Sequence, residues 1–409
     1  MLYHAYQAQA NLSWPLRQFA RLAAPMLLEG SSAGWGLPRQ RELGTRLGAA
    51  CEVYKLAEVT HKRPDWGISD VVIDGEPVPV REEETSTTPF ATLRRFHRPL
   101  ADPGPRVLLV APMSGHFATL LRDTVRTLVA DHDVYITDWA SARDVPLAAG
   151  CFGLAEYTQH LIDFLAVLGP GAHLMAICQP CVAALAATAL MAEDDHPAQP
   201  ASLTLMAGPI DCRVSPTTVN ELATSKPIEW FESKLIQTVP WPLPGAGRRV
   251  YPGFVQLGAF MSMNPERHLN AFRGYYDDLV NAEHDKAALT RRFYEEYFAV
   301  ADLPAEFYLE TVRLVFQEFA LPRGELFIGE RRVNPAAIRR TALLTVEGER
   351  DDICSVGQTL AAQDLCTRVR PWLRTHYVQA GVGHYGVFSG RRWQRHIYPV
   401  VRDGIHHAV

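Results

Sequence analysis

Short apolar runs alternate with longer helical segments between residues 107 and 206, and this alternation limits the chain to few folds. Four runs have the length and composition of buried strands: 107–110, 134–137, 173–177 and 203–206. The segments between them have helical periodicity: 115–131, 154–168 and 181–191. Strands that are linked by helices pair in parallel and are covered on both faces. The pattern therefore predicts an α/β fold with a mostly parallel central sheet and helices on both faces.

The alternation is interrupted once, over a long segment that is rich in aromatic residues. It stops after Cys212 and returns with a strand-like run at 342–347. We therefore expect the core of the fold to consist of residues 101–212 and 338–409. Residues 213–337 are expected to form a helical cap, because a helical insertion at such a place often acts as a lid over the site.

The first hundred residues have a different pattern. Residues 1–100 are predicted to supply an N-terminal helix and antiparallel strands that join the sheet, because Asp74-Gly75 separates two apolar runs as in a hairpin. Apolar residues in the first thirty positions have loosely helical spacing. We interpret this spacing as a helix that packs on its own domain. Contact with a partner or an apolar surface is the alternative.

Composition excludes several classes of protein. The 409 residues carry a net charge of −5, and the 40 Lys and Arg are scattered, which argues against nucleic-acid binding. No run of apolar residues approaches the length of a membrane span. The N-terminus lacks the features of a secretory signal, and seven cysteines are an odd number. We therefore expect free thiols in a reducing cytoplasm.

The strand at 173–177 leads directly into Cys178 and then into a helix, which is the context of a nucleophile elbow. The usual pattern is G-x-S-x-G, and here Ala176 and Pro180 replace the glycines while Cys178 replaces serine. A small residue and a proline in the first helical turn are compatible with the bend. This stretch alone leaves three alternatives open: a redox pair of Cys178 and Cys181, a zinc site that lacks further ligands, and inert core cysteines.

Two later loops supply an acid and a base in the chain order of α/β-hydrolases. Asp351 and Asp352 follow one predicted strand, and His384 follows the next in a glycine-rich loop. The order Cys178, Asp351, His384 is nucleophile, acid and base, and each residue follows the carboxyl end of a strand, where such sites assemble. Asp352 and Asp211 are the alternative acids, and no metal or cofactor is required.

Acyl transfer also needs donors for an oxyanion and a surface for the substrate. We expect the backbone N–H of Gln179 to be one donor. The second donor is expected from Met113 or Ser114, in the loop after an earlier strand. Trp139 and Phe388 are predicted to contact the substrate.

Several stretches along the whole chain carry a resemblance to one family: 1–3, 111–122, 137–146, 177–180, 208–211, 305–309, 347–353 and 383–393. The chain resembles the intracellular poly(3-hydroxybutyrate) depolymerases. The resemblance implies an α/β-hydrolase with a Cys-Asp-His triad, carried over onto Cys178, Asp351 and His384. It also implies a cytoplasmic enzyme at the surface of amorphous polyester granules that releases 3-hydroxybutyrate oligomers and monomer. Cys181 and Cys212 receive no role, and a homodimer is plausible.

Two alternatives to hydrolysis accompany this resemblance. A polyhydroxyalkanoate synthase-type acyltransferase also uses Cys, Asp and His, although its elbow keeps glycines where Ala176 and Pro180 stand here. Transfer of the acyl group to coenzyme A is a related possibility. A non-catalytic granule-binding protein with a degenerate hydrolase fold is the other alternative.

Overall fold

The computed structural model describes residues 2–32 and 38–408. Met1, residues 33–37 and Val409 belong to the predicted N-terminal and core segments, and they lie outside the described residues. The strands are β1 (Asp70–Ile73), β2 (Glu76–Pro79), β3 (Arg81–Thr87), β4 (Ala91–His97), β5 (Arg106–Val110), β6 (Asp133–Trp139), β7 (His173–Ile177), β8 (Ser202–Met206), β9 (Gln237–Thr238), β10 (Arg249–Tyr251), β11 (Leu303–Pro304), β12 (Phe327–Ile328), β13 (Arg331–Arg332), β14 (Ala342–Gly348) and β15 (Arg374–Gln379).

Helices surround these strands. They are α1 (Leu2–Ser32), α2 (Pro38–Leu56), α3 (Arg122–Leu128), α4 (Leu154–Leu168), α5 (Cys181–Glu193), α6 (Thr218–Thr224), α7 (Ile228–Leu235), α8 (Gly253–Met263), α9 (Pro265–Val280), α10 (His284–Tyr297), α11 (Ala305–Glu310), α12 (Ala361–Leu365), α13 (Gly390–Arg392) and α14 (Tyr398–His406).

The central sheet has eight strands in the order β15-β14-β8-β7-β5-β6-β4-β3. Neighbours from β15 to β6 pair in parallel, whereas β4 and β3 add an antiparallel edge. The apolar runs of the alternating region form its centre, since β5, β7 and β8 are buried along almost their whole length. The predicted α/β fold with a mostly parallel sheet is therefore confirmed.

The sheet brings the ends of non-consecutive strands together at one edge. Helix α5, which follows β7, is apolar all round and buried over most of its length. Ile177 pairs with Met206 at the carboxyl ends of β7 and β8, and β14 runs beside β8 in the same direction. Loops that follow β7, β8, β14 and β15 must therefore lie at the same edge of the sheet.

Residues 213–337 combine helices with small sheets. Helices α6–α11 lie here, together with the three-stranded sheet β9–β11 and the hairpin β12–β13. Many of the aromatic residues of α9 and α10 form a hydrophobic cluster of their own with Leu56 of α2: its buried aromatic members are Tyr275, Tyr294, Tyr297 and Phe298. The N-terminal helices thus share a core with this insertion.

Helix α1 differs from its sequence interpretation. Tyr3 is buried, but the apolar residues that follow lie on an exposed stripe: Leu12, Leu16, Phe19, Leu22 and Met26. The helix packs against α2, where Leu28 closely approaches Gly48. The prediction that the apolar face of this helix packs on its own domain is therefore wrong for most of its length. Helical spacing identifies an apolar face but does not show what covers that face. Among the described helices, none has the length and apolar character to span a membrane.

The loop after β5 is fixed from both sides. On the core side, the carbonyl of Ala111 accepts hydrogen bonds from Trp139 Nε1 at 2.8 Å and from the Tyr157 hydroxyl at 3.1 Å. On the side of the insertion, His116 Nε2 lies 3.2 Å from the carbonyl oxygen of Tyr297. His116 also forms a β-bridge with Val300. This histidine therefore joins the core to the insertion.

Burial makes His116 and three other histidines neutral in the folded state. It lowers the pKa of His116, His132 and His173 to about 4 and that of His61 to about 3. Between these values and the ordinary value near 6.5, the unfolded chain binds more protons than the folded one. The contribution of these four histidines to stability therefore falls as the pH is lowered from about 6.5 towards 4.

We expect His116→Gln to weaken this pH dependence while the amide still offers a donor to the Tyr297 carbonyl. One titrating group contributes about 1.4 kcal/mol per pH unit. We therefore compare the slope of the free energy of unfolding against pH, measured in urea from pH 7 to pH 5. This slope should be smaller in the variant by about 1.4 kcal/mol per pH unit. His407→Gln, at an exposed histidine, is the control. Equal slopes for wild type and His116→Gln would contradict the neutral, buried state of His116.

Candidate active site

Cys178 occupies the sharp turn between β7 and α5. Its φ of 67° is in the left-handed region, which a non-glycine residue adopts only when its surroundings impose it. Its N–H donates to the carbonyl of Met206 at 2.8 Å, which ties the turn to the neighbouring strand. Pro180 then caps α5. The strand, bend and helix of the predicted elbow are all present.

The first turn of α5 must pack closely against the neighbouring backbone, and a glycine in the loop after β8 leaves the space for it. Ala176 is fully buried, and Gly208 lies just beyond the end of β8. A Cβ atom on Gly208 would lie 2.2 Å from Cβ and 2.3 Å from Sγ of Cys181. Gly208 therefore lets the first turn of α5 pack against the loop after β8, although Ala176 and Pro180 replace the usual glycines.

The structure brings Cys178, Asp351 and His384 together. Nδ1 of His384 lies 2.8 Å from Oδ2 of Asp351, and both residues are buried. Cys178 lies within electrostatic range of the same imidazole. The other carboxylate oxygen of Asp351 accepts from the N–H groups of Ile353 and Cys354, at 2.9 and 2.8 Å. The carboxylate is therefore fixed before it meets the histidine.

The electrostatics of His384 reflect this arrangement. Burial on its own acts to lower the pKa of His384. The electrostatic interaction with Cys178 and the hydrogen bond to Asp351 outweigh burial, and the pKa of His384 is raised well above its ordinary value. The imidazolium form is thus favoured when an anionic sulfur lies beside it.

The two alternative acids lie apart from the imidazole. Asp352 is exposed and lines the cavity above His384. Asp211 forms a bidentate ion pair with Arg213, at 2.8 and 2.7 Å, and the hydrogen bonds from Arg213 lower the pKa of Asp211 against the opposing effect of burial. Asp351 is the aspartate that contacts His384.

Sequence reasoning missed Glu347, which fixes the loop that carries Asp351. Its side chain is fully buried at the end of β14. Its carboxylate accepts hydrogen bonds from the N–H groups of Gly357, Thr359 and Leu360, at 2.8 to 3.0 Å. The signal in the sequence was an acidic residue within an otherwise apolar buried strand, because a buried carboxylate must be paired or hydrogen-bonded.

The predicted oxyanion residues lie in two loops at the carboxyl edge of adjacent strands. Gln179 follows Cys178 at the start of α5, and Met113 and Ser114 follow β5, which pairs with β7. The carbonyl of Ser114 accepts a hydrogen bond from the Gln256 amide of α8. The oxyanion role of these backbone groups stays a prediction.

The two predicted substrate residues have different surroundings. Trp139 is buried between Phe152 and Tyr157, with its ring stacked on that of Tyr157 at 4.2 Å, so it supports the loop after β5 from inside the core. This burial argues against direct substrate contact. In the sequence, a core aromatic at the end of a strand cannot be distinguished from an aromatic residue that lines a pocket. Phe388 lies edge-on to His384 at 5.8 Å between ring centres.

A cavity of about 370 Å³ opens above His384 between the insertion and two loops of the core. Helices α8, α9 and α10 form one wall, with aromatic and polar side chains: Phe260, Asn264, Arg267, His268, Phe293 and Tyr297. The loops after β14 and β15 form the other wall: Arg350, Asp352, Ile353, Gly383, Tyr385 and Gly386. The insertion therefore lies over His384, and its role as a cap stays a prediction.

All seven cysteines have free thiols. Cys181 is buried, and its Sγ donates to the carbonyls of Ala176 and Met206 at 3.3 and 3.6 Å. Burial raises the pKa of its thiol far above the ordinary value. In residues 2–32 and 38–408, no group of three or more His, Cys, Asp or Glu side chains is arranged to hold a metal ion.

Comparison with solved structures gives distant likenesses. The chain is 13% identical to a lipase candidate, Lip1, from Acinetobacter baumannii AYE, with a TM-score of 0.46 over 80% of this chain and 93% of that one. It is 14% identical to a thermophilic esterase from Thermogutta terrifontis, with a TM-score of 0.41 over 83% and 97%. For the meta-cleavage product hydrolase CumD from Pseudomonas fluorescens IP01, the identity is 15% and the TM-score 0.42 over 83% and 98%.

Comparison at the level of sequence families is more specific. No curated protein matches the chain. The family model of the PHB de-polymerase C-terminus matches residues 207–408, a segment that contains Asp351, His384 and the whole insertion. This match supports ester hydrolysis as the general activity. Residues 207–408 are therefore similar to the family of the PHB de-polymerase C-terminus.

Proposed function

We propose that this protein hydrolyses the ester bonds of poly(3-hydroxybutyrate) in storage granules through an acyl-enzyme on Cys178. The observation that carries the proposal is the pairing of His384 with Asp351, with 2.8 Å between imidazole and carboxylate, while Cys178 lies within electrostatic range of the same imidazole. The family match points to the same polyester. The sequence resemblance adds a cytoplasmic location at the granule surface.

The first half-reaction transfers the acyl group to sulfur. The proton of the Cys178 thiol is held by His384, and the imidazolium is stabilised by Asp351. The thiolate attacks the ester carbonyl, and the negative charge on oxygen is stabilised by the N–H of Gln179 and an N–H of Met113 or Ser114. When the intermediate collapses, the C–O ester bond breaks and His384 protonates the departing alkoxide. A thioester and a free hydroxyl end result.

The second half-reaction releases the acyl group to water. His384 takes a proton from the water, the hydroxide attacks the thioester carbonyl, and the C–S bond breaks. The products are the carboxylic acid and the thiolate beside a protonated His384, so the resting ion pair is restored. In the alternative with coenzyme A as the acceptor, His384 takes the proton of the coenzyme A thiol. The resulting thiolate attacks the thioester carbonyl, and the C–S bond to Cys178 breaks.

Loss of the nucleophile should abolish degradation. We expect Cys178→Ala to release no 3-hydroxybutyrate from native amorphous granules, because no other group can form the acyl-enzyme. Cys181→Ala changes the second cysteine of the same motif and should retain activity. Release is measured by chromatography, with and without coenzyme A. Equal release by wild type and Cys178→Ala would reject the nucleophile, and loss in both variants would favour chemistry that needs both cysteines.

Loss of the acid should lower kcat while the fold is kept. In Asp351→Asn the imidazolium loses its stabilising charge, and the histidine is held in the wrong tautomer, so kcat should fall by about 10³- to 10⁴-fold. Asp211→Asn is the matched control, since that aspartate pairs with Arg213 instead. Hydrolysis of a soluble 3-hydroxybutyrate oligomer provides kcat for both. Comparable losses in the two variants would show that Asp351 has no special role.

The ion pair should make Cys178 reactive in mild acid. The raised pKa of His384 keeps the imidazolium present at pH 6, and a positive charge beside a thiol favours the nucleophilic thiolate. Ordinary thiols lose reactivity about tenfold per pH unit below their pKa. We therefore expect iodoacetamide, followed by peptide mass spectrometry, to label Cys178 almost as fast at pH 6 as at pH 8. Labelling of the exposed Cys151 should slow strongly. If Cys178 slows in parallel with Cys151, or His384→Gln labels as fast as wild type, the ion pair is refuted.

A further inference from the structure

The cavity above His384 contains two arginines that the proposed reaction does not use. Arg267 lies on α9 of the insertion, and Arg350 follows β14 on the opposite wall. Neither guanidinium forms an ion pair within the described residues. Asp352 is the acidic residue among the described lining side chains. The cavity therefore has an excess of positive charge.

The charge of Arg267 acts within the cavity. Burial lowers the pKa of His268, and the adjacent Arg267 lowers it further, so this histidine adds no positive charge of its own. Its Nδ1 is held 2.9 Å from the hydroxyl of Tyr294. The phenol of Tyr385 lies within electrostatic range of both Cys178 and Arg267.

A neutral polyester offers few groups to such a cavity. Its repeating units are uncharged, and its only ionised group is the carboxylate at one chain end. In the last unit this carboxylate lies two carbon atoms from the ester oxygen that leaves on cleavage. His384 protonates that oxygen, so a carboxylate bound beside His384 selects the last ester bond of the chain.

We propose that Arg267, with Arg350 opposite it, binds the terminal carboxylate of 3-hydroxyalkanoate chains and directs cleavage to the carboxyl end. This inference rests on the proposed ester hydrolysis. It assigns a substrate class that the proposed function leaves open, namely anionic oligomers and chain ends in addition to the neutral interior of the polymer. Planar guanidinium groups suit this role because they pair with carboxylates in a bidentate manner.

The test compares two substrates that differ only in charge: the 3-hydroxybutyrate trimer as the free acid and as its methyl ester. Both arginines are exposed, so the contribution of the charge is moderate. We expect wild type to favour the acid in kcat/KM by about fivefold. Arg267→Gln should lose this preference and keep its rate on the methyl ester. Arg273→Gln, at an exposed arginine of the same helix outside the cavity, should keep the preference.

Two further measurements strengthen the comparison. Salt screens exposed charges, so raising the salt concentration should increase KM for the acid and leave KM for the methyl ester nearly unchanged. Product analysis uses the hexamer, because cleavage of either ester bond of the trimer gives one monomer and one dimer. Wild type should release mainly monomer from the free acid of the hexamer. In Arg267→Gln the share of monomer should fall as internal bonds are cleaved more often.

The outcomes separate failure of this inference from failure of the proposed function. If wild type cleaves both substrates equally, or Arg267→Gln keeps the preference for the acid, the carboxylate site is overturned while ester hydrolysis stands. If wild type cleaves neither substrate and releases nothing from granules, the proposed function fails first. A phosphate of coenzyme A is another anion of similar chemistry. If Arg267→Gln changes only the stimulation by coenzyme A, the cavity binds the acceptor and the carboxylate assignment is overturned.

Discussion

The hydrogen bond between Asp351 and His384 joins two loops that leave neighbouring parallel strands, and the geometry of the site depends on it. A buried carboxylate is costly unless its lone pairs are satisfied. Here one oxygen of Asp351 is held by two backbone N–H groups and the other faces the imidazole. Glu347 holds the far end of the same loop through three more backbone N–H groups. The acid is thus positioned by the backbone before any substrate arrives.

Cys178, the proposed nucleophile, is positioned by a different constraint, its left-handed backbone. Such a conformation costs free energy and persists only where packing imposes it. The restraint comes from the adjacent strand, through the carbonyl of Met206 and the space left by Gly208. The motif around the nucleophile can therefore lose both of its usual glycines, because the close contact has moved to the loop after β8.

The sequence identified the parts of the site that depend on strand ends, and missed those that depend on packing. Buried parallel strands are long apolar runs, so the positions of Cys178 and His384 after such runs predicted their shared edge. Adjacent Asp351 and Asp352 look alike in sequence, and only the direction of the loop separates the one that meets His384 from the one that lines the cavity. Trp139 lies at the end of a strand, and this position did not distinguish a core aromatic from a residue that contacts the substrate. The exposed stripe of α1 had the periodicity of a buried helix face.

The insertion joins one wall of the cavity above His384 to the rest of the molecule. Its helices α9 and α10 share a hydrophobic cluster with Leu56 of α2, and His116 joins the loop after β5 to Tyr297 and Val300. The wall that carries Arg267 is thus attached both to the N-terminal helices and to the loop expected to stabilise the oxyanion. Movement of this wall would therefore change the cavity and that loop together, because the same buried contacts hold both.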